Sequence, residues 1–439
     1  MYRRANRYQF SSALRRKMTH LFASSHLRHS ALNLGGGLFP VIVAIPCLGI
    51  LARDLDPNRF SLIMLYWALV GYAGVLDLGL GRAIVPLVSE RADDPRATKR
   101  LLNSALCIAL ALGVLGAVSL WSAAPFIVSN LFKVAPDLAV EAVAGLRFTA
   151  VTVPLLLPYI IIQGYWDGMQ AFAEANLQRA LSGSLPIILS TIAVTMFGGG
   201  VIIVMGGFLA GRLISLFFVA ARQGLWRRLD YREVGVADVL RLLSFGGWVT
   251  AGGMIGPVMG YLDRFVLAFA RGASIVAFYA APAEAIFRLL VVPTAITRSL
   301  FPKLASGLIE VERARLLRET RLMITLGCVP AALVILALGP WILELWLGRP
   351  YREQSTVALQ LLTLGFLASS YAQIPLTQLF AAGKPKFVAF AQAAEVVPFL
   401  LLAYWLDVHY GVVGAAIAWS VRNAIDLLVL QFLANRFAN

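Results

Sequence analysis

Charge is what this sequence has least of. Only 14% of its 439 residues are Asp, Glu, Lys or Arg, against 59% apolar residues and a mean hydropathy of +0.77. A soluble domain carries about 25% charged residues, so too few polar side chains remain to coat a water-facing surface. Soluble domains strung in series are excluded. Its three cysteines, Cys47, Cys107 and Cys328, lie far apart inside apolar runs, which excludes a disulfide framework and a CxxC metal or redox motif. Histidine is equally scarce: His20, His26, His29 and His409 form neither HExxH nor any other metal-binding spacing. There is no GxxxxGK[ST] for nucleotide phosphates, and the nearest dinucleotide-like run, Gly79-Leu-Gly81-Arg-Ala-Ile84, lacks its third glycine. The expected outward connections are short (53–59, 132–137, 198–199, 271–273, 348–353 and 409–410), too small to carry a catalytic centre. The chain is therefore expected to be no enzyme and to need no cofactor or metal. Coupling to a proton or sodium gradient stays open.

What is present is apolar sequence in lengths that span a bilayer, roughly 20 residues each. Twelve such stretches run near 31–52, 60–86, 101–131, 138–164, 173–197, 200–222, 243–270, 274–302, 320–347, 354–381, 386–408 and 411–435. Several are long enough to tilt or to extend beyond the hydrocarbon. Ahead of them, residues 1–30 carry seven basic residues, either as a basic cytoplasmic tail or as a helix lying on the membrane surface.

Lys and Arg set the orientation. With the N-terminus inside, 26 of the 38 basic residues fall on the cytoplasmic side, six outside and six within the spans. This split favours an even number of crossings and both termini in the cytoplasm. It also explains the net charge of +15 as topology signals beside anionic lipid, with no basic module for nucleic acid.

The two halves echo each other. Ala83-Ile-Val-Pro86-Leu-Val-Ser89 closes the second span and Ser299-Leu-Phe-Pro302-Lys-Leu-Ala-Ser306 closes the eighth; Pro186 is answered by Pro398, and Gly198 to Gly200 by Gly411. An offset of six spans gives two copies with the same orientation, the parallel-repeat plan in which a pathway lies between two lobes. The expected organisation is an N-terminal six-helix lobe over 31–222, a cytoplasmic connection over 223–242 and a C-terminal six-helix lobe over 243–439.

Ionisable residues inside the spans are the candidate functional groups, because a charge at depth costs ~2.5–3.5 kcal/mol even on the lenient insertion scale and so faces a cavity or a partner. Arg147, Arg212, Arg288 and Arg422 lie about 12–22 Å from the outer helix ends at 1.5 Å per residue. Glu284, Glu395 and Asp426 are at similar depth, Asp263 and Arg264 nearer the outside, and Asp77, Arg82 and Arg298 nearer the cytoplasm. Glu284 with Arg288, and Arg422 with Asp426, are spaced i,i+4 and can neutralise one another. Arg147 and Arg212 have no acidic residue one turn away. A row of arginines suits an anionic ligand, above all phosphate, whose oxygens match the guanidinium fork. Arg147, Arg212, Arg288, Arg298 and Arg422 are the cavity candidates; Asp77, Asp263, Arg264, Glu284, Glu395 and Asp426 are the coupling or gating candidates. Prolines 154, 158, 257, 282, 293 and 375 mark kinks, while Gly207 and Gly211, and Gly252, Gly256 and Gly260, have the spacing of closely packed helices.

Several of these runs together resemble a known family. Gly260-Tyr-Leu-Asp263-Arg264-Phe-Val-Leu, Ala277-Phe-Tyr279-Ala-Ala-Pro-Ala-Glu284 and Leu300-Phe-Pro302-Lys-Leu, with Leu76-Asp77-Leu-Gly-Leu-Gly81-Arg82 and Gly411-Val-Val-Gly414-Ala-Ala-Ile-Ala418, are similar to the Wzx-type polysaccharide and lipid-linked oligosaccharide flippases. These form a branch of the multidrug/oligosaccharidyl-lipid/polysaccharide (MATE-like) exporter superfamily. The resemblance implies two six-helix lobes in a V around a central cavity, working by alternating access. It implies a bacterial inner-membrane protein that moves an undecaprenyl-diphosphate-linked oligosaccharide repeat unit to the periplasmic leaflet, with other polysaccharide-assembly membrane proteins as candidate partners. A MATE-like cation-coupled drug antiporter is the main alternative, and a membrane-embedded polymerase or ligase the next.

Overall fold

A computed structural model describes residues 25–222, 224, 234–253, 259–306 and 309–437. Most of the basic N-terminal tail, half of the 223–242 connection, and Gly256 and Pro257 lie outside the described residues. The regular structure is entirely helical, with no strand among the described residues. The helices are α1 (Ser25–Asp54), α2 (Pro57–Ala73), α3 (Leu80–Ser89), α4 (Pro95–Phe126), α5 (Pro136–Gly168), α6 (Phe172–Phe197), α7 (Val201–Arg222) and α8 (Val236–Gly253). They continue with α9 (Leu262–Arg271), α10 (Val276–Leu289), α11 (Val291–Ala305), α12 (Glu310–Trp346), α13 (Arg349–Ala381), α14 (Pro385–Tyr410) and α15 (Val412–Phe437).

Among the described residues nine helical stretches are long and apolar enough to cross a membrane. They coincide with the third to sixth and the eighth to twelfth expected spans. The remaining three expected spans fall on α1, on the pair α2–α3 and on the pair α8–α9.

Local sequence sets the helix ends. Asp56 and Asp94 cap α2 and α4 by accepting main-chain N–H bonds, each followed by a proline whose fixed φ suits the first helical position. Gly198, Gly272, Gly348 and Gly411 stop α6, α9, α12 and α14 at φ between 56° and 105°, a conformation that favours glycine.

The second and eighth expected spans are not continuous. The eighth breaks at Leu290 between α10 and α11, where Pro293 cannot donate to the preceding turn. The second breaks at a short 3₁₀ turn, Gly74–Asp77, and this break has no proline to announce it. There Leu78 and Gly79 take φ of 50° and 72°, and the Asp77 carboxylate accepts from the N–H groups of Gly79 (2.7 Å) and Gly81 (3.2 Å).

Packing repeats with an offset of six spans. α1 lies on α6 as α9 lies on α14; α4 on α5 as α12 on α13; α6 on α7 as α14 on α15; α5 on α7 as α13 on α15; and α3 on α5 as α11 on α13. The small-residue spacing matters here: a Cβ on Gly207 would stand 2.5 Å from the Leu189 carbonyl oxygen, and one on Gly211 2.5 Å from Pro186 Cα. Backbone thus meets backbone between α6 and α7.

The two halves meet at the ends that Gly198, Gly272, Gly348 and Gly411 close. Ser61 Oγ donates to the Ser274 carbonyl (3.1 Å) and accepts from Ala277 N–H (2.8 Å), Ala273 N–H donates to the Phe132 carbonyl (2.7 Å), and Trp346 Nε1 donates to the Ile45 carbonyl (2.6 Å). Rings complete the seal, Phe60 edge-on to Tyr351 at 6.3 Å and Phe132 stacked on Phe265 at 6.0 Å.

At the opposite ends of the helices the contact is different. The start of α8 docks on α3 and α4. Buried Asp238 takes Arg91 at 2.7 Å and Arg100 at 2.8 Å, Arg241 pairs with Glu90 at 2.8 Å, and Gly235 N–H donates to Ser104 Oγ at 3.1 Å.

Candidate functional site

Two sets of intramembrane charges occupy the two halves, and they differ in character. In the first half the arginines have no carboxylate pairing with them among the described contacts. Arg212 on α7 holds its guanidinium over the Phe208 ring (5.3 Å), and Arg147 on α5 over the Trp121 ring (5.2 Å). The Nε of each is buried without a hydrogen-bond partner. Phe208 in turn packs on Trp67 of α2 (5.9 Å).

Their depths are not equal. Glu141 on α5 accepts from Val201 N–H at the start of α7 (2.7 Å) and pairs with Arg59 (3.0 Å), which marks a polar layer at this end of the helices. At 1.5 Å per residue Arg147 lies about 9 Å below that layer and Arg212 about 16 Å. The first turns of α5 project beyond α7, so Arg147 sits above the midplane position expected from its span alone. The two arginines form successive steps.

In the second half the arginines are matched. Arg264, 1% exposed, donates to Glu284 at 2.8 Å, and its guanidinium lies 4.9 Å from the Tyr261 ring centre. Arg288 reaches the other oxygen of Glu284 at 3.4 Å. Glu284 therefore bridges α9 and α10 while keeping its i,i+4 partner. Arg422 is turned to Glu395 on α14 at 3.8 Å; Asp426, one turn further along α15, has an oxygen with no partner. Asp263 accepts from the Tyr279 hydroxyl and from Arg264 N–H (2.8 Å). From the C-terminal end of α14 to Glu395 and Asp426 this set descends about 20 Å, at 1.5 Å per residue.

Not every candidate joins these sets. Asp77 caps α3, and its two oxygens are spent on main-chain N–H groups. Arg298 is exposed at the middle of α11. One residue that periodicity and spacing passed over is Asp407, three positions before the end of α14: it is 0% exposed and both side-chain oxygens lack a partner. An aspartate this close to a helix end reads as a loop residue in the sequence; only the packing of Gly414 against Leu406 and Asp407 encloses it.

Comparison with known proteins follows the same lines. The family model described as polysaccharide biosynthesis protein matches residues 27–308. The chain belongs to that family. A polysaccharide biosynthesis relative from Shigella flexneri, named "Putative O-antigen transporter", is 32% identical over 423 residues, covering 94% of this chain and 99% of the relative. Among solved structures, an inward-facing multidrug resistance MATE family transporter of the MOP superfamily superimposes with a TM-score of 0.76 at 16% identity, over 91% of this chain and 97% of that one. The lipid II flippase MurJ, in an inward closed conformation, gives 0.69 at 16% identity, over 93% and 87%. At such identities the likeness is one of fold. This polysaccharide biosynthesis protein is thus an all-helical, multi-pass membrane protein with the MATE-type plan.

Proposed function

We propose that the protein is a flippase that carries a polyprenyl-diphosphate-linked oligosaccharide repeat unit from the cytoplasmic to the periplasmic leaflet of a bacterial inner membrane. The observation that carries this reading is the 32% identity to an O-antigen transporter along 94% of the chain. The arginine steps in the first half add a chemical reason. Arg147 and Arg212, with Nε groups buried and unpartnered, offer planar donors to diphosphate oxygens and acidic sugars. In the second half Arg264 and Arg288 pair with Glu284, and Arg422 faces Glu395 at 3.8 Å. Cargo charge thus falls to the first half, and the second half is left to gate or couple.

In this reading residues 31–222 and 243–439 form the two lobes, joined by 223–242, with both termini in the cytoplasm. The outer seal at Ser61, Phe132 and Trp346 closes one side while the head group enters from the other, and the polyprenyl tail stays in lipid between helices. No covalent chemistry is asked of the protein, so it acts as a transporter without a catalytic residue or cofactor.

Depleting the protein in the cell that makes it tests the reading. Surface glycan falls and the lipid-linked repeat unit accumulates on the cytoplasmic leaflet. Unchanged surface glycan, with altered export of cationic dyes, would replace the flippase by a drug antiporter.

A further inference from the structure

Among the described residues two enclosed carboxylates have no hydrogen bond to either oxygen: Glu395, which has Arg422 at 3.8 Å, and Asp407, which has no ion pair. Asp407 is 0% exposed. Glu284 has two arginines, Glu395 has Arg422 across the α14–α15 contact, and Asp263 has the Tyr279 hydroxyl and a main-chain N–H. Asp426 keeps Arg422 one turn away on α15. The cation nearest to Asp407 at this end of α14, Arg271, points its donors elsewhere: Nε binds the Asp407 main-chain carbonyl (3.2 Å) and a terminal nitrogen the His409 carbonyl (3.4 Å).

The other groups around Asp407 make an anion harder to hold. Asp263 on α9 and Tyr279 on α10 lie within electrostatic reach, while the positive charges of Arg264 and Arg422 act on Asp263. His409, on the same helix, stacks against Trp405 at 4.7 Å. An ionised carboxylate enclosed without donors and beside a second acid is strongly disfavoured. A neutral carboxyl group removes that cost. A metal ion would need more ligands: among the described residues no group of three or more His, Cys, Asp or Glu converges on one point.

We propose that Asp407 is a proton-binding site, loaded from the outer side, that couples a proton gradient to movement of the second half. The step is simple: the carboxylate takes up one proton to become a carboxylic acid, and returns it when the enclosure opens. The enclosure is built to respond to helix movement, because Gly414 of α15 brings its backbone against this turn of α14; a Cβ there would stand 2.2 Å from the Leu406 carbonyl oxygen and 3.0 Å from Asp407 N. Sliding α14 against α15 therefore changes what surrounds the acid. The coupling part of this inference rests on the transport reading above; the proton site does not.

Infrared difference spectroscopy of the purified full-length protein, without any cargo, tests the site by itself. At neutral pH the wild type should show a protonated-carboxyl carbonyl band that Asp407→Asn lacks entirely and Asp407→Glu retains at a shifted frequency. Asn copies the shape of the neutral acid, so this variant should fold; if it does not, the presence or absence of the band in Asp407→Glu, against Asp407→Ser, decides the assignment. A band unchanged in a folded Asp407→Asn protein would overturn the proposal. So would a sodium-dependent rise in melting temperature that this variant abolishes, which would make the site a metal site. In vesicles, acceleration of glycolipid movement by an imposed pH gradient should be lost in Asp407→Asn and kept in Asp407→Glu. Should no glycolipid move at all, the flippase reading fails while the infrared result still stands.

Discussion

Removing the Asp238 carboxylate should release α8 from the first half. Asp238 is 2% exposed. It holds Arg91, whose side chain is 20% exposed, and Arg100, whose side chain is 53% exposed. Deleting one partner of a fully buried ion pair costs about 3–5 kcal/mol, but an exposed pair is worth at most ~1 kcal/mol. The Arg91 contact lies near the first case and the Arg100 contact near the second. With water reaching both arginines, Asp238→Ala should weaken docking by about 2–4 kcal/mol, or roughly 30-fold to 1,000-fold in local opening, since 1.4 kcal/mol is a factor of ten. Amide hydrogen exchange over residues 237–244 of the purified protein reads this directly. Arg91→Ala should have the next largest effect and Arg100→Ala the smallest.

The pH dependence of this docking is also fixed in sign. Burial pushes the Asp238 carboxyl up, but the hydrogen bonds from Arg91 and Arg100, with their charges, outweigh it and hold the group below the usual carboxylate range. A group whose folded value is depressed stabilises above its unfolded value, about 3.9 for Asp, and loses that stabilisation as pH falls through the folded value. Protection of α8, corrected for intrinsic exchange, should be flat from about pH 8 to about pH 5 and decline only in more acid solution. Protection in Asp238→Ala within about threefold of wild type, or loss near neutral pH, would refute the clasp.

Three other outcomes follow from the same structure. Asp77→Ala should remove both acceptors at the start of α3 and cost about 1 kcal/mol of stability, whereas Asp77→Asn keeps one acceptor oxygen and should cost less; if Asn and Ala are equally damaging to transport at normal melting temperature, Asp77 has a role beyond capping. Gly207→Val should force α6 from α7, because backbone atoms block the new Cβ, with a loss of about 3 kcal/mol; membrane abundance by immunoblot checks it, and wild-type abundance would deny the close approach. Arg212→Ala and Arg147→Ala should keep normal abundance, having no carboxylate to orphan, yet lose most glycan export, with Lys intermediate because it keeps charge without the planar fork. A fall in abundance that tracks the loss of export would instead make these arginines structural.

Much of the fold was legible because membrane helices announce themselves by length and by the bias of Lys and Arg, and the six-span echo of Pro86 with Pro302 reappears as repeated packing. The break in the second span was not, since Leu78 and Gly79 adopt left-handed backbone angles that an apolar run does not signal; the aspartate just before them, at a position that looked like a coupling acid, is what stabilises the turn. Charge pairing was legible only along single helices. Glu284 with Arg288 could be read from i,i+4 spacing, but Arg264 with Glu284, Arg422 with Glu395, and the enclosure of Asp407 depend on which helices pack together. The relative depth of Arg147 and Arg212 likewise needed the contact between Glu141 and Val201, because span boundaries do not say how far a helix projects.

The proposed activity is movement of a polyprenyl-diphosphate-linked oligosaccharide across a bilayer. Its most direct test is a leaflet assay in proteoliposomes holding the purified full-length chain and one fluorescent lipid-linked repeat unit, with a membrane-impermeant quencher added outside. The account predicts time-dependent exchange of the labelled lipid between leaflets, fast in wild type and largely lost in Arg212→Ala at equal protein per vesicle. Exchange no faster than in protein-free vesicles, with correctly folded and inserted protein and an imposed gradient in either direction, would contradict it.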